Sequence, residues 1–198
     1  MNVLIACEYS GRVRDAFIAK GHDAISCDLL PSDKPGPHHQ GDIFDLDFSK
    51  FDLMIAHPPC TYLSNSGVCH LYKDVNRWPR LFDGAKFFKR LLNAPIPMIA
   101  VENPIMHKYS KAIIGCGQQS QVVQPWMFGH TEQKATCLWL KGLPLLTQEN
   151  NVKQEMLLLP DSERQRLHYL PPSAERAKIR SMTYQGIANA MANQWGVS

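Results

Sequence analysis

The sequence predicts an α/β fold built on a mostly parallel sheet, and three observations carry that prediction. Short apolar runs alternate with a segment of helical period from the N-terminus onward. Several of these runs stop at a polar or acidic residue, where an open α/β sheet presents its ligand crevice. The 198 residues are 44% hydrophobic and 20% charged, enough for one domain with its own core. Such a composition excludes a coiled coil, a collagen-like fibre and a disordered tail. There is no run of about eighteen apolar residues, so no membrane span is expected.

The elements follow in order. Asn2–Ala6 is an apolar strand, followed by a turn at Ser10-Gly11. Val13, Ala16, Phe17 and Lys20-Gly21 fit a short helix that stops at a glycine. Asp23–Cys27 is a second strand ending in Asp28, and this βαβ spacing requires parallel pairing with a right-handed crossover. Residues 30–41 hold three prolines, two glycines and two histidines and read as a loop. Asp52–Ala56 is another buried strand, and His57 to Arg77 a long polar connection. Leu81–Leu92 is helical, with Phe82, Phe87, Leu91 and Leu92 as its expected buried positions. Met98–Val101 reads as the fifth strand, and Gln121–Gln124 with Thr136–Leu140 as a late antiparallel pair. Residues 143–175 are proline-marked and read as a loop or small cap. Arg176–Trp195 is expected as one helix, with Ile179, Met182, Ile187, Met191 and Trp195 at helical spacing.

Charge is unevenly distributed. Residues 1–60 hold five Lys/Arg against nine Asp/Glu, a net of −4, and the remainder holds sixteen against nine, a net of +7. An acidic beginning and a basic remainder suit a small ligand in one part and a polyanion near the other, although charge scattered over a solvated surface explains the count equally well. The N-terminus reads as a buried strand and not as a signal peptide. The six cysteines have no CxxC spacing and are expected as reduced thiols in a cytoplasm. His38, His39, His57, Cys60, Cys69 and His70 do not have the spacing of a tetrahedral metal site, and no metal is expected.

The strand ends carry the chemistry. Asp28 lies twenty residues beyond Glu8, where an acid accepts the ribose hydroxyls of an adenosine-type cofactor. The first turn holds only Gly11, with Ser10 beside it, so a pyrophosphate is not expected. S-adenosylmethionine fits, with Asp42 placed to take its adenine amino group. Plain capping carboxylates are the alternative. Cys60 follows two prolines that fix the backbone, and Glu102 ends the next strand. A thiol and a carboxyl facing one crevice suit covalent attack on a ring with an acid at its far side. Cytosine is such a ring.

These residues resemble the DNA cytosine-5 methyltransferase family. Phe51 to Cys60, ending in His57-Pro58-Pro59-Cys60, resembles the Pro-Pro-Cys nucleophile loop, with Ser64 where that loop has a serine. Glu102-Asn103-Pro104 resembles the Glu-Asn-Val segment, with proline in place of valine. Gly41-Asp42-Ile43 is similar to the adenine-contacting motif, and Ile5–Phe17 to the first cofactor loop. Tyr184 to Ala190 resembles the last cofactor motif, which packs beside the first. The resemblance spans residues 1–140 and 176–195 and implies a Rossmann-like class I S-adenosylmethionine-dependent methyltransferase sheet. The expected catalytic domain is 1–140 with 176–198, and 141–175 is a cap or loop in place of a recognition domain.

Carried over residue by residue, the family assigns Cys60 as nucleophile and Glu102 as the group holding cytosine N3. It places Cys7, Glu8, Ser10, Gly11, Asp28, Asp42 and Pro58 at the cofactor, and Pro59, Ser64, Asn103 and Lys134 at the substrate. DNA is the implied partner, with RNA or a free cytosine nucleotide as the alternative, and small members point to a phage or prophage origin. The family's Gln-x-Arg-x-Arg strand has no counterpart; Lys134 in Gly129–Thr136 is the nearest cation. With so short a recognition region, a partner protein or second copy would serve target choice. A catalytically idle binding protein is the competing class, and an intact Cys60 and Glu102 speak against it.

Overall fold

The computed structural model describes residues 1–197; Ser198, the end of the expected catalytic segment, lies outside the described residues. The strands are β1 Asn2–Ala6, β2 Asp23–Asp28, β3 His38–Gln40, β4 Leu53–Ala56, β5 Met98–Pro104, β6 Gln121–Val123 and β7 Thr136–Lys141. They form one sheet in the order β3-β2-β1-β4-β5-β7-β6. β3, β2, β1, β4 and β5 pair in parallel, β7 runs antiparallel to β5, and β6 antiparallel to β7. This is the Rossmann-like α/β sheet that the resemblance implies. The direction of winding reverses between β1 and β4, and there the C-terminal strand ends part to form a crevice.

The helices are α1 Arg12–Ile18, α2 Arg77–Leu92, α3 Lys108–Ile114, α4 Lys153–Leu158, α5 Asp161–Arg164, α6 Arg166–Tyr169, α7 Ala174–Ser181 and α8 Gln185–Trp195. Both sheet faces are apolar because both are covered. Val3, Ile5, Leu53 and Ile55 point toward α1 and α8, while Leu4, Ala6, Met54 and Ala56 point toward α2 and α3. α8 packs beside α1. The first turn of α8 lies against the 125–130 segment and requires Gly186, where an added Cβ would fall 1.9 Å from the Phe128 carbonyl oxygen.

Four expectations are corrected. The loop at 30–41 contains β3, three polar residues paired in parallel with Ser26–Asp28 at the sheet edge. α2 begins at Arg77 and buries Leu81, Ala85, Phe88 and Leu91; Phe82 is exposed, and Phe87 and Leu92 are only half-buried. Leu81, Ala85, Phe88 and Leu91 recur at helical spacing and form the face turned to the sheet, with Phe82 outside it and Phe87 and Leu92 at its margins. α3, capped by the His107 side chain, was not expected at all. Finally, 176–195 is two helices: the backbone is extended at Met182 and Tyr184, although the apolar period runs across the break.

Arg14 organises the edge beside β2. It is fully buried, pairs with Asp15 at 2.8 Å and donates to the Pro35 carbonyl at 2.9 Å and the Ser32 hydroxyl at 3.2 Å. The proline-rich loop is thus wrapped around a guanidinium, whose donors satisfy carbonyls that β pairing cannot. Gly11, at φ 69°, begins α1 with a Cβ-free approach to the same guanidinium.

Candidate active site

The Cys60 loop is built as a tight turn on a rigid frame. β4 ends at Ala56, and the His57 amide continues the parallel pairing by donating to the Ala6 carbonyl at 2.9 Å. Pro58 is buried and Pro59 exposed. The Cys60 carbonyl accepts from the Leu63 and Ser64 amides at 3.0 and 2.9 Å. The turn is tied to the segment after β5: Asn65 N donates to the Ile105 carbonyl at 2.7 Å, and the Ser110 hydroxyl to the Leu63 carbonyl at 3.1 Å. His107 closes the frame, Nε2 meeting the Tyr62 carbonyl at 3.0 Å while Nδ1 accepts from Ser110 N. A side chain on such a turn has few alternative positions.

Glu102 stands near the C-terminal end of β5, one residue past the Ala56–Val101 pair. Its Oε2 lies 3.0 Å from His57 Nδ1. Burial raises the carboxyl, but the His57 hydrogen bond and charge, with Lys134, overcome this and hold it below the usual carboxylate range. The Cys60 thiol is pushed up by burial first and by the Glu102 charge second, while Lys134 and Arg180 pull it back. Cys60 and Glu102 therefore share one electrostatic environment. Cys27, by comparison, is pushed up to about 11, chiefly by burial and then by Asp28, and no cation relieves it. All six cysteines are free.

Two hollows flank this loop. The first, of about 380 Å³, is lined by Cys7, Cys27, Asp28, Leu29, Gly41, Asp42, Ile43, Pro59, Asp83, Gly84 and Phe87. Asp28 Oδ1 accepts from Leu30 N at 2.9 Å and Asp42 Oδ1 from Phe44 N at 3.0 Å. Each carboxylate spends one oxygen on its own loop and leaves the other for a ligand donor. The volume and the mostly apolar wall with two placed carboxylates suit a nucleoside-sized ligand such as S-adenosylmethionine. A small recess of about 40 Å³ adjoins Cys7 and is walled by Tyr9, Ser10, His57, Met182 and Thr183 among others.

The second hollow is an open, polar cleft of about 570 Å³ between the sheet and the α6–α7 region. Ser64, Asn65 and Ser66 form one wall, and Gln124, Gln133, Lys134, Gln165, His168 and Arg180 much of the rest. Lys134 Nζ donates to the Arg180 carbonyl at 2.7 Å, so the cation is held where its charge reaches both Cys60 and Glu102. α7 is tied down over the N-terminal loops by Tyr9–Ser181 at 2.9 Å, Lys178–Asp33 at 2.8 Å and Arg12 donating to the Thr183 carbonyl at 3.0 Å.

The structure brings Cys60, Glu102 and Lys134 together, and Cys7, Asp28 and Asp42 around the first hollow. Other residues fall differently. Glu8 is 5% exposed, and its carboxylate accepts from the Val13 and Arg14 amides at 2.8 and 3.2 Å and from the Ser10 hydroxyl at 3.1 Å, capping α1. Pro59, expected on the substrate side, lines the hollow of Asp28 and Asp42, while Pro58 is buried. Asn103 is fully buried, its amide donating to the Pro104 carbonyl, away from the cleft. Ser64 lines the cleft and bonds Ser66 at 3.0 Å.

His57 and Arg180 were missed as functional candidates. His57 had one signal, its place immediately before Pro58-Pro59. Arg180 had none, because only folding brings α7 to the Cys60 loop. Among the described residues no group of three or more His, Cys, Asp or Glu could hold a metal ion, and no helix is long and apolar enough to cross a membrane.

No protein-family model and no curated protein matches the chain. Solved structures similar to it include an E. coli prophage-encoded protein described as a DNA modification methyltransferase, at 15% identity and TM-score 0.44 over 81% of this chain and 56% of that one. The Entamoeba histolytica methyltransferase EhMeth is 16% identical with TM-score 0.47 over 76% and 57%. The S. pombe Dnmt2 methyltransferase is 12% identical with TM-score 0.44 over 99% and 65%. The chain spans 56–65% of the length of these proteins. The fold assignment rests on the strand order itself.

Proposed function

We propose that the protein methylates cytosine at carbon 5 in DNA, using S-adenosylmethionine and a covalent adduct at Cys60. The observation that carries this reading is the placement of Cys60 and Glu102 at the C-terminal ends of neighbouring strands, with Cys60 on a loop whose Pro59 lines an apolar hollow with carboxylates and whose Ser64 lines a polar, cationic cleft. Bound in the hollow, S-adenosylmethionine supplies the methyl group. Asp28 takes its ribose hydroxyls and Asp42 its adenine amine, while Cys7, Ser10, Gly11 and Pro58 shape the backbone beside it.

The cytosine enters from the cleft, flipped out of its strand where the substrate is duplex. The Cys60 thiolate bonds to carbon 6, and Glu102 holds N3 and the exocyclic amine, so carbon 5 becomes nucleophilic. After carbon 5 is methylated its proton is lost, the sulfur–carbon 6 bond breaks and the thiolate leaves. Lys134 and Arg180 favour the thiolate against the Glu102 charge. Residues 141–175 serve as a cap over the cleft; they are too short for a recognition domain, so a partner or second copy provides sequence choice.

The test is incubation with tritiated S-adenosylmethionine and, separately, duplex DNA, single-stranded DNA, RNA and dCTP. Label in DNA supports the reading. Label confined to RNA or dCTP keeps the chemistry and overturns the substrate, and no label in any of them overturns the activity.

A further inference from the structure

The structure holds two buried histidines beside the Cys60 loop, and they are built differently. His107 is a structural imidazole with both ring nitrogens bonded, Nδ1 to Ser110 N and Nε2 to the Tyr62 carbonyl. His57 uses only Nδ1, 3.0 Å from Glu102 Oε2, with the side chains 8% and 14% exposed. Its Nε2 is buried and has no hydrogen-bond partner among the described residues. The ring lines the small recess beside Cys7 and Met182. A buried imidazole with one nitrogen on a carboxyl and the other unbonded is arranged to pass a proton rather than to brace a loop.

We propose that His57 is a positioning residue that passes its Nδ1 proton to Glu102, allowing that carboxyl to protonate the substrate ring as Cys60 adds. The proposal rests on the reading of Cys60 and Glu102 given above. As the sulfur–carbon 6 bond forms, negative charge moves onto ring N3. The Glu102 carboxylate takes the Nδ1 proton of the His57 imidazolium and passes a proton to N3, leaving a neutral imidazole beside a carboxylate. The thiolate's negative charge is thus cancelled by the imidazolium's positive one, and the adduct is neutral. Release of Cys60 reverses the transfer.

The groups facing the pair are Cys60 on the same loop, Lys134 before β7, Arg180 on α7, Cys137 on β7, and Cys7, Glu8 and Tyr9 after β1. Lys134 and Arg180 are cations that do not supply this proton, and the Glu8 carboxylate is occupied by the α1 amides. Among the described residues, His57 is the group hydrogen-bonded to Glu102, which makes it the proton source adjoining that carboxyl.

His57→Asn separates the roles, because the Asn amide nitrogen stands roughly where Nδ1 does, keeping a donor to Glu102 without a transferable proton. In the free protein, Cys60 alkylation by iodoacetamide, read by mass spectrometry, reports the charge of the pair. Alkylation near neutral pH should slow several-fold in His57→Asn, because Glu102 is left unbalanced. Adding Glu102→Gln to that variant should restore the rate, which a folding defect would not allow. In the methylation assay, kcat of His57→Asn should fall roughly a hundredfold or more with KM for the oligonucleotide little changed, and its alkaline limb should move to lower pH. Alkylation and methylation both indistinguishable from wild type would overturn the proposal. If the alkylation pattern appears but the wild type methylates nothing, the pair stands and the methyltransferase reading fails.

Discussion

The two hollows beside the Cys60 loop differ in chemistry although that loop helps to wall both. The one lined by Asp28, Asp42 and Asp83 has no Lys or Arg in its wall; the one lined by Lys134 and Arg180 has no Asp or Glu. The two hollows therefore carry opposite charge, although most of the charged residues behind the −4 and +7 along the sequence line neither. Asp28 after β2 and Asp42 after β3 meet Asp83 at one hollow, and Lys134 and Arg180 face the other. In the proposed function, a small ligand and a polyanion would thus approach the Cys60 loop from opposite sides without either crossing a repulsive field.

The largest effect is expected at the sheet edge that carries Asp28. Arg14→Ala removes the cation that the 31–37 loop wraps, orphaning several carbonyls, and should destabilise the fold by about 3 kcal/mol in urea denaturation. A cost below about 0.5 kcal/mol would mean that the loop holds itself.

Lys134→Met takes a positive charge from the cleft side only. Cys60 then loses one of the two cations that oppose burial and Glu102, so the thiol rises further. The rising limb of the pH–rate profile should move to higher pH, with methyl transfer at neutral pH about ten- to a hundredfold slower and cofactor affinity unchanged. An unmoved limb would separate Lys134 from the thiol.

Asp28→Ala should show the reverse pattern. Losing a hydrogen bond to a charged group costs roughly 1.5–3 kcal/mol, so S-adenosylmethionine should bind about ten- to a hundredfold more weakly by calorimetry. Wild-type affinity in both Asp28→Ala and Asp42→Ala would sink the cofactor assignment.

The smallest effect concerns the frame. Burial holds His107 and His130 below the ordinary imidazole range, so below about pH 6.5 the unfolded chain takes up protons first. Stability should be full above that pH and decline as pH falls, a slope that His107→Gln should flatten in thermal melts.

Much of this architecture is legible in the sequence because apolar runs and their polar stops are local. β1, β2, β4, β5 and the β6–β7 pair are readable in that way, and Asp28, Cys60 and Glu102 stand at or just past the ends of β2, β4 and β5. β3 is not readable, since His38-His39-Gln40 carries no apolar pattern and exists through its pairing with β2. α3 is seven residues closed by His107, a cap visible only in three dimensions. The break at Met182–Tyr184 is hidden because the helical spacing of apolar residues continues through it. The contacts of Lys134 and Arg180 with the Cys60 environment depend on packing between segments far apart in the chain, which no local pattern records.

The central claim is that Cys60 is a nucleophile placed between the two hollows. An oligonucleotide containing 5-fluorocytosine tests it most directly, since fluorine at carbon 5 cannot be lost as a proton and the adduct cannot resolve. With S-adenosylmethionine present, the wild type should form a denaturation-resistant complex whose mass adds the methylated oligonucleotide at Cys60, and Cys60→Ser should fold, bind S-adenosylmethionine and form none. Absence of the complex with a sequence the protein demonstrably methylates, or full methyl transfer by Cys60→Ser, would contradict the account.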